Sequence, residues 1–321
     1  MRIALLGASS QIAKDLVRSF AAASDDALTL FARRPEVVSQ WLQGLGLPDR
    51  YAVAPIQSFG GQEDFDAVIN CVGVGAPAQT VAMGASIMDV TLQYDEMVLA
   101  YLKQRPDCKY LFLSSGAAYG SNFEKPASND TVASFPINHL SPQDWYGLAK
   151  FYAEARHRAL PQLSIVDLRI FSYFSHTQDL DARFLMTDIL RAIRDQTVLQ
   201  TSSDYMVRDY ILPADFYQLV RLMLDAAPVN LAVDCYSLAP VDKPTLLSAM
   251  QSHFGLHYQS LPGVAGVNAS GNKTHYYSLN RRLKEFGYQP RYSSLDGILH
   301  EASLFFKKMA IPYNPRNNHG L

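Results

Sequence analysis

The chain has 321 residues, of which 48% are hydrophobic and 18% charged, enough apolar material for a sizeable core and too much for disorder. A formal net charge of -2 removes the bulk attraction on which non-specific nucleic-acid binding rests. The three cysteines, Cys71, Cys108 and Cys235, are odd in number and far apart, which excludes a disulfide framework or a paired-cysteine metal site. No apolar run approaches the ~20 residues of a bilayer-spanning helix, and the apolar start is too short for a secretory signal. A soluble protein of a reducing compartment, the cytoplasm, with neither membrane nor nucleic acid as partner, is expected.

Arg2–Leu6 has the length of a buried parallel strand. After a glycine turn, Ile12, Ala13, Leu16, Val17 and Phe20 recur at helical spacing until Ser24-Asp25-Asp26, and Leu28–Ala32 reads as the next strand, which completes a βαβ unit. Further strands are predicted at Tyr51–Ile56, Ala67–Val72, Tyr110–Leu113 and Ser164–Ile170, with helices over Met83–Leu102 and from Ser141 or Asp144 to about Ala159. Strands alternating with helices predict an α/β fold built on a doubly wound parallel sheet covered on both faces. Beyond Ile170 the rhythm loosens, with helices over Phe184–Arg194, Ala214–Leu224 and Leu295–Met309. The expected division is a dinucleotide-binding domain over 1–170, with contributions from about 200–235, a smaller C-terminal α/β substrate lobe over 171–310, and a tail over 311–321.

Gly7-Ala8-Ser9-Ser10-Gln11-Ile12-Ala13 lies between the first strand and the first helix. There, backbone N–H groups and the positive helix end can approach a pyrophosphate. Ser10 and Ala13 stand where a dinucleotide fingerprint has glycines; both are small enough for close approach. The second strand ends in Ala32-Arg33-Arg34, where a carboxylate would bind the adenosine ribose. Two guanidiniums suit a 2′-phosphate instead, which points to NADP(H) over NAD(H); the alternative is two solvated arginines.

Tyr146-Gly147-Leu148-Ala149-Lys150 places a phenol and an ammonium on one helix face. A nearby positive charge is expected to lower the tyrosine pKa and fit it for proton transfer at a carbinol or carbonyl oxygen. About thirty residues earlier, Ser114-Ser115-Gly116-Ala117-Ala118-Tyr119-Gly120 follows an apolar strand, so a hydroxyl there faces the ligand crevice of a doubly wound sheet.

In order along residues 1 to 300, the glycine turn, Asp66–Gly73, Ser114–Gly120, Tyr146–Lys150, Leu168–Phe171, Arg208-Asp209-Tyr210-Ile211 and Leu283–Ser294 resemble the extended short-chain dehydrogenase/reductase family of nucleotide-sugar epimerases, dehydratases and reductases. The resemblance implies a Rossmann domain with Tyr146 as acid/base. It implies Lys150 on the nicotinamide ribose, and Ser115 beside the substrate. Gly7, Ser10 and Ala13 would line the pyrophosphate, with Ser9, Gln11 and Ile12 also at the cofactor, and Cys71, Val72 and Gly73 the ribose side through backbone; Arg33 and Arg34 take the place read above. Arg208 would meet the substrate's diphosphate, or else pair with Asp209. Ser172 replaces a common asparagine on the substrate side. His176 would be a second acid/base there or a loop histidine without special role. A homodimer through the Tyr146 helix and the helix before it is common in such proteins. Gly116-Ala117-Ala118 takes the place of the acid that dehydratases carry after the catalytic Ser/Thr, so dehydration is not expected.

His253 and His257 are four apart but lack an acidic or cysteine partner nearby, and read as surface residues. The main reading is an NADP(H)-dependent reductase of a nucleotide-linked keto-sugar. An epimerase with tightly held NAD uses the same residues, and a non-catalytic NADP-binding regulator is the third reading.

Overall fold

A computed structural model describes residues 1–61, 63–73, 80, 82–262 and 273–309. The expected tail lies outside them. Seven strands form one parallel sheet: β1 (Arg2–Leu6), β2 (Ala27–Ala32), β3 (Ala52–Pro55), β4 (Ala67–Asn70), β5 (Lys109–Ser115), β6 (Ile165–Ile170) and β11 (Asn230–Asp234). Their order is β11-β6-β5-β4-β1-β2-β3, with every pairing parallel. From β1 the chain winds outward through β2 and β3, then crosses to β4 and winds the other way. The crevice beyond the carboxyl ends of β1 and β4 is therefore the topological switch point, where such sheets bind ligands.

The apolar residues explain the two faces. Along β1, Ile3 and Leu5 point into one core with Leu16, Val17 and Phe20 of helix α1 (Gln11–Ala23) and with Phe216 and Leu219. The alternate residues Ala4 and Leu6 point into a second core with Val98, Leu99, Leu102 and Ala153. That pleat alternation leaves both faces apolar, as a covered parallel sheet requires. Helix α2 (Pro35–Gly44) lies on the first face, and α3 (Ser86–Gln104) and α4 (Trp145–Arg158) on the second.

The later part of the chain builds three small sheets. β7 (Ser172–Tyr173) pairs with β10 (Tyr210–Ile211), and β8 (Val198–Ser202) with β13 (His257–Leu261). β9 (Val207–Arg208) lies between β12 (Val241–Asp242) and β14 (His275–Tyr276). Helices α5 (Leu185–Arg194), α7 (Lys243–Phe254) and α8 (Ser294–Lys308) close over a third core of Ile189, Leu190, Leu246, Met250, Ile298 and Phe306. Helix α6 (Pro213–Asp225) instead joins the main sheet, ahead of β11.

Candidate active site

The turn after β1 is shaped by contact with β4. Gly7 has φ +76°, and a Cβ on it would stand 2.8 Å from the amide nitrogen of Val72 and 2.9 Å from the Cys71 carbonyl carbon. A side chain is excluded both by backbone conformation and by space. Ser10 caps α1, its hydroxyl accepting the Ala13 N–H at 3.4 Å, so it takes one of the orphan donors of the first turn. The other side of the crevice is Cys71, Val72 and Gly73. The Val72 N–H donates to Asn70 Oδ1 at 2.9 Å, while Asn70 Nδ2 donates to the Tyr110 hydroxyl. Asn70 thus shapes this corner. Burial pushes the Cys71 thiol up to about 12, which makes it a neutral packing group.

Gln11, at the start of α1, donates to Asp15 Oδ2 and to Thr177 Oγ1. Thr177 and Tyr173 also donate to Asp15. The first turn of α1 is thereby tied to the segment that follows β7. Arg33 and Arg34 lie exposed beyond the end of β2, and Arg34 precedes the proline that opens α2.

Helix α4 carries the phenol and the ammonium. Its N-cap is Asp144, one of the two expected starts, whose carboxylate accepts from the Ser141 N–H and hydroxyl. Lys150 is buried. It donates to the Leu113 carbonyl at 2.7 Å and stands 4.3 Å from the Phe112 ring centre and 5.9 Å from that of Tyr146. A Cβ on Gly73 would lie 3.7 Å from its Nζ, so the lysine reaches the cofactor side of the crevice. Burial brings Lys150 down to about 8, against the opposing pull of Asp95, Glu154 and Asp167.

The hydroxyl of Ser115 meets both sides of the site. It lies near enough to the Tyr146 phenol to draw its pKa down, lies 3.1 Å from the Tyr276 hydroxyl, and accepts the Ala117 N–H at 3.2 Å. The expected depression of the Tyr146 pKa is not what this environment produces. Burial holds the phenol above its ordinary range and the Ser115 hydroxyl opposes that. The Lys150 ammonium is turned to the Leu113 carbonyl instead. A Cβ on Gly147 would come within 2.6 Å of the Ala117 carbonyl oxygen, so the residue after the phenol must be glycine for α4 to press against the serine turn.

The structure thus brings Ser115, Tyr146 and Lys150 together and adds Tyr276, which lies 161 positions from Ser115 and which no motif announced. Arg208 is buried, with Nη1 on the carbonyls of Val207 and Lys273. It does not pair with Asp209, whose carboxylate accepts from the Ser237 N–H and the Ser294 hydroxyl. Ser172 is half-buried in β7. His176 is not gathered with Ser115, Tyr146 and Lys150: its backbone N–H and Nδ1 both meet Glu301 Oε2 on α8, at 2.7 and 2.6 Å. His253 Nδ1 lies 2.9 Å from the Ala249 carbonyl, and no cluster of three His, Cys, Asp or Glu that could hold a metal occurs among the described residues.

The model of the NAD dependent epimerase/dehydratase family matches residues 3–234, well over half of the chain. The chain belongs to this family. As an NAD dependent epimerase/dehydratase it is an enzyme whose family cofactor is NAD, and the glycine turn, the β4 corner and Lys150 are the places that could hold one. The fold is shared with UDP-glucose 4-epimerase of Thermotoga maritima (17% identity, TM-score 0.77, covering 97% of this chain and 100% of that one). UDP-glucuronic acid 4-epimerase of Bacillus cereus has 16% identity and a TM-score of 0.74, with 96% and 100% covered. dTDP-glucose 4,6-dehydratase of Bacillus anthracis has 14% identity and a TM-score of 0.77, with 96% and 97% covered. Among curated proteins none matches the sequence. No helix among the described residues of this family member is long and apolar enough to cross a membrane.

Proposed function

We propose that the chain is a nucleotide-sugar epimerase that retains NAD, in place of the keto-sugar reductase that the two arginines suggested. The observation that carries this reading is the joining of the Tyr146 phenol, the Ser115 hydroxyl and the Lys150 ammonium at the switch point of an epimerase/dehydratase-family fold. Ser115 orients the reacting sugar hydroxyl. Tyr146, once ionised beside the positive nicotinamide ring and the Lys150 ammonium, would take the hydroxyl's proton and later return it, and Lys150 would hold the cofactor's ribose from the Gly73 side. NAD held there would supply a reversible hydride acceptor for the sugar carbon. Arg208, a buried cation on the substrate side, meets the diphosphate. The solved relatives' UDP-sugar ligands make UDP-glucose the first substrate to test.

The test is to purify the chain, identify any nucleotide it retains, and follow 4-epimerisation of UDP-glucose. The expected result is retained NAD, with Tyr146→Phe lowering kcat about 10²–10⁴-fold, the usual worth of a general acid/base, while NAD stays bound. A cofactor-free chain that prefers NADPH, with Arg33→Ala abolishing that preference, would restore the reductase.

The same reading includes a homodimer through α3 and α4. On α4, Phe151 is 42% and Tyr152 49% exposed. A groove between the two helices is lined by Met88, Leu92, Tyr152 and Arg156. Large exposed rings beside a groove are what a partner surface covers.

A further inference from the structure

Lys273 is 3% exposed, yet no carboxylate among the described residues lies within ion-pair distance of it. Its ammonium donates to the Gly120 carbonyl at 3.3 Å and stands 5.0 Å from the ring centre of Phe123 and 4.6 Å from that of Tyr276. The guanidinium of Arg208 stands 5.7 Å from the same Tyr276 ring, and it too has only backbone carbonyls as acceptors. Asp144 is the one carboxylate felt at Lys273. Burial first, and then the charge of Arg208, bring the lysine down to about 8. The ten residues before Lys273, positions 263–272, contain no Asp or Glu. Two buried positive groups on one ring, neither paired with a carboxylate among the described residues, are costly in a folded chain, and a bound anion relieves that cost.

The place of the pair says which anion. Tyr276 joins Lys273 to the reacting centre: its ring carries the ammonium and its hydroxyl touches Ser115. Phe171 and Phe123 pack against Tyr276 with ring centres 5.2 and 4.8 Å away, so Lys273 borders the sugar end of the site. With Arg208 engaged by the diphosphate, the second cation answers a second negative group. Resting on the nucleotide-sugar reading above, we propose that Lys273 recognises a carboxylate on the sugar, so that the preferred substrates are nucleotide-linked hexuronic acids.

Calorimetric binding of UDP, UDP-glucose and UDP-glucuronate to the full chain tests this. Wild type is expected to bind UDP-glucuronate over UDP-glucose by about tenfold or more, the smallest gain that a charge-assisted hydrogen bond supplies. In Lys273→Met that ratio collapses to within about threefold, and Lys273→Arg keeps it. Thermal melting of the ligand-free protein gives an independent reading: Lys273→Met removes an uncompensated charge and raises Tm. A ratio near one in wild type, a ratio that survives Lys273→Met, or an equal loss of UDP itself overturns the proposal, as does a lowered Tm with the ratio intact. Failure of wild type to bind UDP at all overturns the nucleotide-sugar reading together with this one.

Discussion

At Gly147 a missing side chain sets the position of a present one. The Tyr146 phenol reaches Ser115 because α4 approaches the serine turn to within the space of a hydrogen atom, and a Cβ would meet the Ala117 carbonyl oxygen at 2.6 Å. Gly147→Ala should therefore push the phenol off Ser115, lowering kcat about 10²-fold and stability by about 1–3 kcal/mol as an overpacked contact. Steady-state kinetics and denaturant unfolding of the variant check both figures. That Tyr146 and Lys150 share one face of a helix was legible in their spacing, because a four-residue interval on a helix is a local rule. Tyr276 was not, because its contact with Ser115 spans 161 positions and only the tertiary fold reports it. The pKa expectation failed for a related reason. Spacing says that two groups share a face of α4, but the carbonyl of Leu113, on β5, decides where the ammonium points.

Elements α3, α4 and β6 are pinned to one another by a single buried imidazole. His157 Nε2 lies 2.8 Å from Asp95 Oδ1 and Nδ1 lies 2.6 Å from Asp167 Oδ1, with Arg156 and Arg158 on the outer carboxylate oxygens. Burial opposes the imidazolium, yet Asp167 and Asp95 hold it up at about 9, against an ordinary value of 6.5. A pKa raised on folding contributes stability that is complete below 6.5 and is lost as pH rises through about 9. Melting temperature measured from pH 6.5 to 9.5 should fall for the wild type, with a shallower slope for His157→Gln. A second buried hub does similar duty nearer the site: Arg169 binds Glu154, which accepts from the Ser114 hydroxyl at 2.5 Å, and reaches Tyr119 at 2.7 Å. The elements that were expected were readable from apolar periodicity to within a few residues, as at α6, expected over Ala214–Leu224 and found over Pro213–Asp225, whereas α2, α7 and β11 were not among them. These polar hubs were invisible to that reading, since an isolated Asp or His in an amphipathic stretch carries no sign of being buried.

For the molecule as a whole, the doubly wound sheet was legible from the alternation of strands and helices, whereas the three small sheets of the later half were not. They consist of two- to five-residue strands paired across long separations, such as Val198 with His257, too short to carry a period. If α3 and α4 form the dimer surface, Phe151→Asp with Tyr152→Asp should convert a dimer to a monomer in sedimentation, with the fold retained because both rings are exposed. The Asp15 cluster has a thermodynamic consequence of its own. Gln11 begins the dinucleotide turn's helix and Thr177 follows the strand of Ser172, and both are fastened to that one carboxylate. A ligand that draws the Ser172–Thr177 segment toward itself also pulls on the turn at the other ligand's phosphates. If the proposed function holds, linkage makes the effect mutual: whatever factor the sugar nucleotide applies to dinucleotide affinity, the dinucleotide applies to the sugar nucleotide. A retained dinucleotide would then set, through Asp15, the grip on every sugar nucleotide that comes and goes.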